Sequence, residues 1–159
     1  MKILALITFI LITSLNQNHL QFDSKPLHLK LSLSKHEYKK GEEILIDLAI
    51  KNKGKNKQKL IFEAKSAFPW ATQATLINVE TKKSAVKWQR SVISSQIYFE
   101  HQLTNYYFLL NPGKSTNKKC KLSDIVVFDS DNYTLPKGSY ELKIFYYNNC
   151  SNSLSFKVI

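Results

Sequence analysis

Few residues in this 159-residue chain have the types and spacing that chemistry requires. His36-Glu37 opens like a zinc-binding H-E-x-x-H helix, but the second His is missing, so two imidazoles cannot share one helix face. Asp129-Ser130-Asp131-Asn132 gathers side-chain oxygens. A Ca²⁺ loop also needs Gly at its sixth position and a bidentate Glu at its twelfth, and Thr134 and Tyr140 stand there instead. There is no nucleophile elbow, phosphate-cradling Gly loop or Cys/His dyad, and His28 and His101 are isolated on expected strands. The chain is therefore read as non-enzymatic, with no metal and no cofactor. Asn132-Tyr133-Thr134 and Asn149-Cys150-Ser151 match the glycosylation tripeptide, which matters only in a host that glycosylates.

Aromatic residues are the other candidates. Phe68-Pro69-Trp70 falls in an irregular stretch between strands, where a Trp can act as a flat platform for a sugar ring or as an anchor for a partner protein, core packing being the alternative. Alternation sends Tyr107 to the face opposite Tyr106 and Phe108. Phe68, Trp70 and Tyr107 are accordingly the candidate partner-binding residues, whereas Trp88 and Tyr98 lie within expected strands and are read as core.

The N-terminus sets the compartment. Met1-Lys2 is a short positive region, residues 3–15 are apolar apart from Thr8, Thr13 and Ser14, and polar Asn16-Gln17-Asn18 follows. That is the anatomy of a secretory signal peptide, taken as residues 1–18 with cleavage between 14 and 21. As a helix the apolar run spans about 20 Å, short of the roughly 30 Å hydrocarbon core, so no stable membrane insertion is expected after cleavage, an uncleaved anchor being the alternative. No Cys lies at the boundary, which excludes a lipid-anchored form. The mature product, 19–159, is expected to be secreted or held in the periplasm or cell envelope. There the only two cysteines, Cys120 and Cys150, can form just one pair, and a bridge closing a loop of about 30 residues contributes about 3–4 kcal/mol in the chain-entropy model. A disulfide is expected, two independent buried thiols being the alternative.

Charge narrows the partners. The net charge is +11, from 23 basic against 12 acidic residues, and 22 of the basic residues are Lys, with Arg90 alone. Arg is the residue that reads phosphates and base edges bidentately, so a Lys-only surplus points away from nucleic acid and toward a solvated basic surface that attracts acidic envelope polymers.

The elements that must position these residues are strands. Leu27, Leu29, Leu31 and Leu33 alternate with His28, Lys30, Ser32 and Ser34, which loads one face. Ile44, Ile46, Leu48 and Ile50 do the same after the Lys40-Gly41-Glu42 turn, and a polar turn at Asn52 to Lys57 leads to a third strand at 60–64. Further strands are expected near 73–79, 85–89, 97–101, 106–110, 116–122, 140–147 and 153–158. Turns at Asn111-Pro112-Gly113-Lys114 and Leu135-Pro136-Lys137-Gly138 separate the later ones. Sustained helical spacing is absent, and about seven to nine short antiparallel strands with turn signals predict an all-β chain, an immunoglobulin-like β-sandwich in one domain.

Three segments carry a resemblance. Gly41-Glu42-Glu43 leading into an alternating strand and Asn52, Leu110-Asn111-Pro112-Gly113-Lys114 before a strand, and Gly138-Ser139-Tyr140 leading to Tyr146-Tyr147 resemble small secreted bacterial immunoglobulin-like domains, similar to proteinase-inhibitor-type and protease-accessory β-domains. The resemblance spans about 27–159. It implies a binding module whose function sits in loops, with a protein partner contacted in a proteinase-inhibitor-like way through a segment such as 67–72. The alternative partner is a cell-envelope polysaccharide held by aromatic stacking and Lys contacts. The Cys…Trp…Cys core of antibody domains is absent, since Trp70 and Trp88 both precede the cysteines.

Overall fold

Alternating apolar residues build two inward faces, and the strands that carry them form two separate sheets. The computed structural model describes residues 26–61, 72–90, 107–146 and 149–159, with only the backbone of Ile61 and Tyr107. Among them the chain is nearly all β, with one 3₁₀ turn at Leu122–Asp124.

The first sheet has the order β1-β3-β8, all antiparallel, from β1 (Leu27–Leu33), β3 (Leu45–Asn52) and β8 (Ser115–Lys121). Leu27, Leu29 and Leu31 of β1 and Ile46, Leu48 and Ile50 of β3 are buried, as period two requires. His28, Lys30 and Ser32 face water. β4 (Gln58–Ile61) and β7 (Tyr107–Leu110) pair antiparallel as a separate two-stranded sheet, Gln58 opposite Leu110, and residues 53–57 and 111–114 are the two loops that join them to β3 and β8.

Asn52 closes that double loop. Its side chain is fully buried, donates through Nδ2 to the carbonyls of Asn56 (2.8 Å) and Leu110 (2.9 Å), and accepts the Gly54 N–H (2.9 Å). Its backbone accepts from Gly113 (2.8 Å) and donates to the Lys114 carbonyl (2.9 Å), while Lys53 donates to the Pro26 carbonyl (2.8 Å). A buried amide satisfied in this way turns a polar turn into a rigid part of the fold.

The second sheet is centred on β10 (Gly138–Tyr146), which pairs with β5 (Thr72–Asn78) on one side and with β11 (Asn149–Cys150) and β12 (Leu154–Val158) on the other. Between β11 and β12 the buried Ser151 hydroxyl takes the place of a backbone partner, accepting the Ile144 N–H at 3.0 Å. β2 (Glu37–Tyr38) runs parallel to β12, so the chain leaves the first sheet after β1 and joins the second. Asn152 ties the two sheets by pairing its amide with the N–H (2.7 Å) and carbonyl (3.1 Å) of Leu31.

A further pair, β6 (Val86–Gln89) with β9 (Val126–Phe128), is attached to β5. Ala85 donates to the Leu76 carbonyl, and the Gln89 amide brackets Ala74, accepting its N–H at 2.9 Å and donating to its carbonyl at 2.8 Å. The inner faces of both sheets meet in one core, including Leu31, Ile46 and Ile50 from the first and Leu76, Leu142 and Ile144 from the second. Tyr140 stacks on Phe156 with ring centroids 5.6 Å apart, and Tyr38 meets the same ring edge-on at 5.7 Å.

Most expected strands are present with shifted ends. The two-residue β2 and β11 and the short β9 were not expected, and the strand expected at 97–101 lies outside the described residues. The expected disulfide is not formed. Cys120 is buried on β8, whereas Cys150 is exposed on β11 of the other sheet, where its thiol donates to the Ser151 carbonyl at 3.3 Å. Sequence separation set the expected benefit of a bridge, and the placement of the two side chains on different sheets removes it.

Candidate functional site

Period-two alternation would put Trp88 on the same face as Val86, which packs against the core. The structure does otherwise. Val86 pairs with Phe128, Trp88 with Val127 and Gln89 with Val126, leaving Lys87 without a residue opposite. This is a β-bulge, and the extra residue turns Lys87 and Trp88 outward together. Trp88 is 52% exposed, which corrects its assignment to the core.

A second exposed ring, Tyr133 at 54%, comes from the turn after β9. Its backbone sits at φ +51°, a left-handed conformation that non-glycine residues seldom adopt and that needs support from its surroundings. That support is local: the Tyr133 N–H donates to the Ser130 carbonyl (3.1 Å), and the Ser130 hydroxyl donates to the Thr134 carbonyl (2.6 Å). Lys87 joins the two rings, its Nζ lying 4.9 Å from the Trp88 centroid and 5.5 Å from that of Tyr133. Exposed cation–π contacts contribute about 0.5–1 kcal/mol each and limit how the rings turn. Two aromatic surfaces and one ammonium thus form a platform on a strand pinned by Gln89.

Tyr133 also borders a hollow of about 140 Å³ between the turn of Lys39, Gly41, Glu42 and Glu43 and the segment of Thr134 and Leu135. Gly41 has φ +80°, a backbone setting that lets the turn close. The two carboxylates are engaged at its rim. Glu42 bonds Lys35 and accepts the Lys39 N–H at 2.9 Å, and these contacts hold it below the usual carboxylate range. Glu43 bonds Lys121, whose ammonium it holds above its ordinary value. Glu80 and Glu141 are lowered as well, the first by Ser139 and the second by Ser153 and Lys143. Such charged, already paired carboxylates suit hydrogen bonding to hydroxyls rather than proton transfer.

A larger open hollow, about 430 Å³, lies at the end of the first sheet and is lined by Leu33, Leu45, Ile46, Asp47, Cys120 and Asp124 among others. Burial, helped by the charges of Asp124 and Asp47, pushes the Cys120 thiol up to about 12, which leaves it protonated and unreactive near neutral pH. Among the described residues no three His, Cys, Asp or Glu side chains converge as metal ligands.

Of the residues singled out from sequence, Tyr107 begins β7 in register with Ile61. Phe68 and Trp70 lie outside the described residues, as does nearly all of the 67–72 segment. The platform residues Lys87, Trp88 and Tyr133 were missed as a group. The bulge and the left-handed turn that bring them together leave no period in the sequence.

No protein-family model matches the chain, and no curated protein resembles it in sequence. Solved structures do. A β-glucosidase from Erythrobacter marinus is similar over 84% of this chain and 15% of that one, at 10% identity and a TM-score of 0.50. A β-glucosidase from Listeria innocua, as a D270A mutant with laminaribiose, is similar over 84% and 16%, at 16% identity and a TM-score of 0.47. A β-D-glucoside glucohydrolase from Trichoderma reesei matches over 84% and 19%, at 11% identity and a TM-score of 0.44. The chain spans about 15% of the length of the Erythrobacter enzyme, and at this identity the likeness shows a shared β fold and nothing of activity.

Proposed function

We propose that this chain is an exported, non-enzymatic binding module on an immunoglobulin-like β-sandwich, and that it holds a cell-envelope polysaccharide against Trp88 and Tyr133. The fold reading draws support from Tyr140, whose hydroxyl donates at 2.8 Å to the carbonyl of Pro136 four residues upstream, the arrangement of a tyrosine corner. The switch of the chain from the first sheet at β1 to the second at β2 supports it too. Export rests on the N-terminal segment read above.

The binding reading rests on one observation: two exposed aromatic rings gathered around Lys87 on a pinned strand. Pyranose rings present flat C–H faces that stack on indole and phenol, while an ammonium and nearby carboxylates take up the hydroxyls. The test is retention of the mature protein in gels containing purified envelope polysaccharides, with titration calorimetry on any that retard it. Trp88→Ala and Tyr133→Ala are each expected to weaken binding about tenfold or more while the thermal midpoint stays within a few degrees of the parent. Binding that survives both substitutions in folded protein rejects the platform.

A further inference from the structure

Lysine occupies every second position from Lys51 to Lys59, and Lys51, Lys53, Lys55, Lys57 and Lys59 are all exposed. Lys114 is exposed on the opposing loop, its carbonyl bonded to the Asn52 N–H. No acidic residue occurs from Ala49 to Phe62 or from Asn111 to Lys121. The described ion pairs, Lys35 with Glu42, Lys119 with Asp47, Lys121 with Glu43 and Lys143 with Glu141, involve none of Lys51, Lys53, Lys55, Lys57 or Lys114.

The positions of these charges are constrained by the fold. The loop that bears three of them is clasped by the buried Asn52 side chain and by the Lys53 to Pro26 bond, so its ammonium groups are held in one district at low cost in backbone entropy. The opposite end of β3, eight residues and about 26 Å away, carries the balanced turn where Glu42 and Glu43 meet Lys35 and Lys121. The surplus charge is thus concentrated at one pole.

We propose that this pole is a docking ridge for a linear polyanion with closely spaced phosphate groups, separate from the aromatic platform and independent of it. Lysine is a compact, strongly hydrated point charge that binds phosphate without fixing its orientation, and a row of lysines with no Arg fits a chain read by charge density rather than by sequence. The fit gains affinity from release of the counterions condensed on the polymer.

The experiment is titration of the mature protein with inorganic polyphosphate at several salt concentrations. With about six contacts, the logarithm of affinity should fall with the logarithm of salt at a slope of about −4, taking the single-strand coefficient. The triple variant Lys53→Gln/Lys55→Gln/Lys57→Gln should bind at least tenfold more weakly at 0.1 M salt and bring the slope to about −2. Lys40→Gln/Lys83→Gln/Lys137→Gln removes the same charge from exposed sites elsewhere and should change affinity less than threefold. Equal losses in the two triples, or less than a threefold loss in the first, overturn the ridge. So does tighter binding to single-stranded DNA of the same charge, which would make the ligand a nucleic acid. Unfolding curves of both triples confirm that each is folded when measured.

Discussion

Replacing Asn52 by Ala removes three hydrogen bonds made by a fully buried side chain, and the cost follows from where each partner sits. The Leu110 carbonyl is buried and loses its side-chain donor, about 1–3 kcal/mol. The Gly54 N–H and the Asn56 carbonyl are only partly buried and can recover water, so each loses about 0.5–1 kcal/mol. The sum is about 2–5 kcal/mol, a large share of the 5–15 kcal/mol available to a domain of this size. Urea unfolding followed by tryptophan fluorescence reads it as a lower midpoint at unchanged slope. Asn52→Asp is the companion variant: it keeps the acceptor for Gly54 but points a carboxylate at two carbonyl oxygens, so it should cost at least as much. A loss below 0.5 kcal/mol for Asn52→Ala would refute the view that this amide holds the double loop together.

Two other outcomes follow from single side chains. The Tyr38 hydroxyl is buried without a hydrogen-bond partner among the described residues, so Tyr38→Phe is expected to be neutral or stabilising by up to about 1 kcal/mol in the same unfolding assay; a clear loss would reveal a partner. The thiols should separate kinetically, with maleimide labelling exposed Cys150 in the native protein and Cys120 only after unfolding, as read by intact mass. Because the folded state keeps the Cys120 proton until about pH 12 while the unfolded chain releases it near 9, stability should fall as pH rises through that interval, and Cys120→Val should lose part of the fall.

What could be read from sequence was what depends on local period. Leu27, Leu29 and Leu31 declare a half-buried strand wherever it pairs, because alternation is fixed by the backbone. Gly41 and Gly113 mark turns because their positive φ suits no other residue as well. β2 and β11 were illegible for the opposite reason: two residues carry no period, and β2 exists only through its distant partner β12. Trp88 misled because one inserted residue, Lys87, reverses every face after it. Tyr133 gave no sign at all, since its exposure depends on a turn held by Ser130.

The parallel pairing of β2 with β12 also bears on mechanics. Pro26 lies at the lysine-rich pole, bonded to Lys53, whereas Ile159 lies at the other, its carbonyl bonded to Lys40 and its N–H to Tyr38. Tension between those two points pulls along the strands. It would slide β1 along β3 and β2 along β12, and backbone bonds in that orientation share the load and must break together instead of opening one after another like a zipper. Lys157 to His36, Ile159 to Tyr38 and Lys40 to Ile159 form the last such set, so the two-residue β2 lies at the point where a pull on the chain would be resisted.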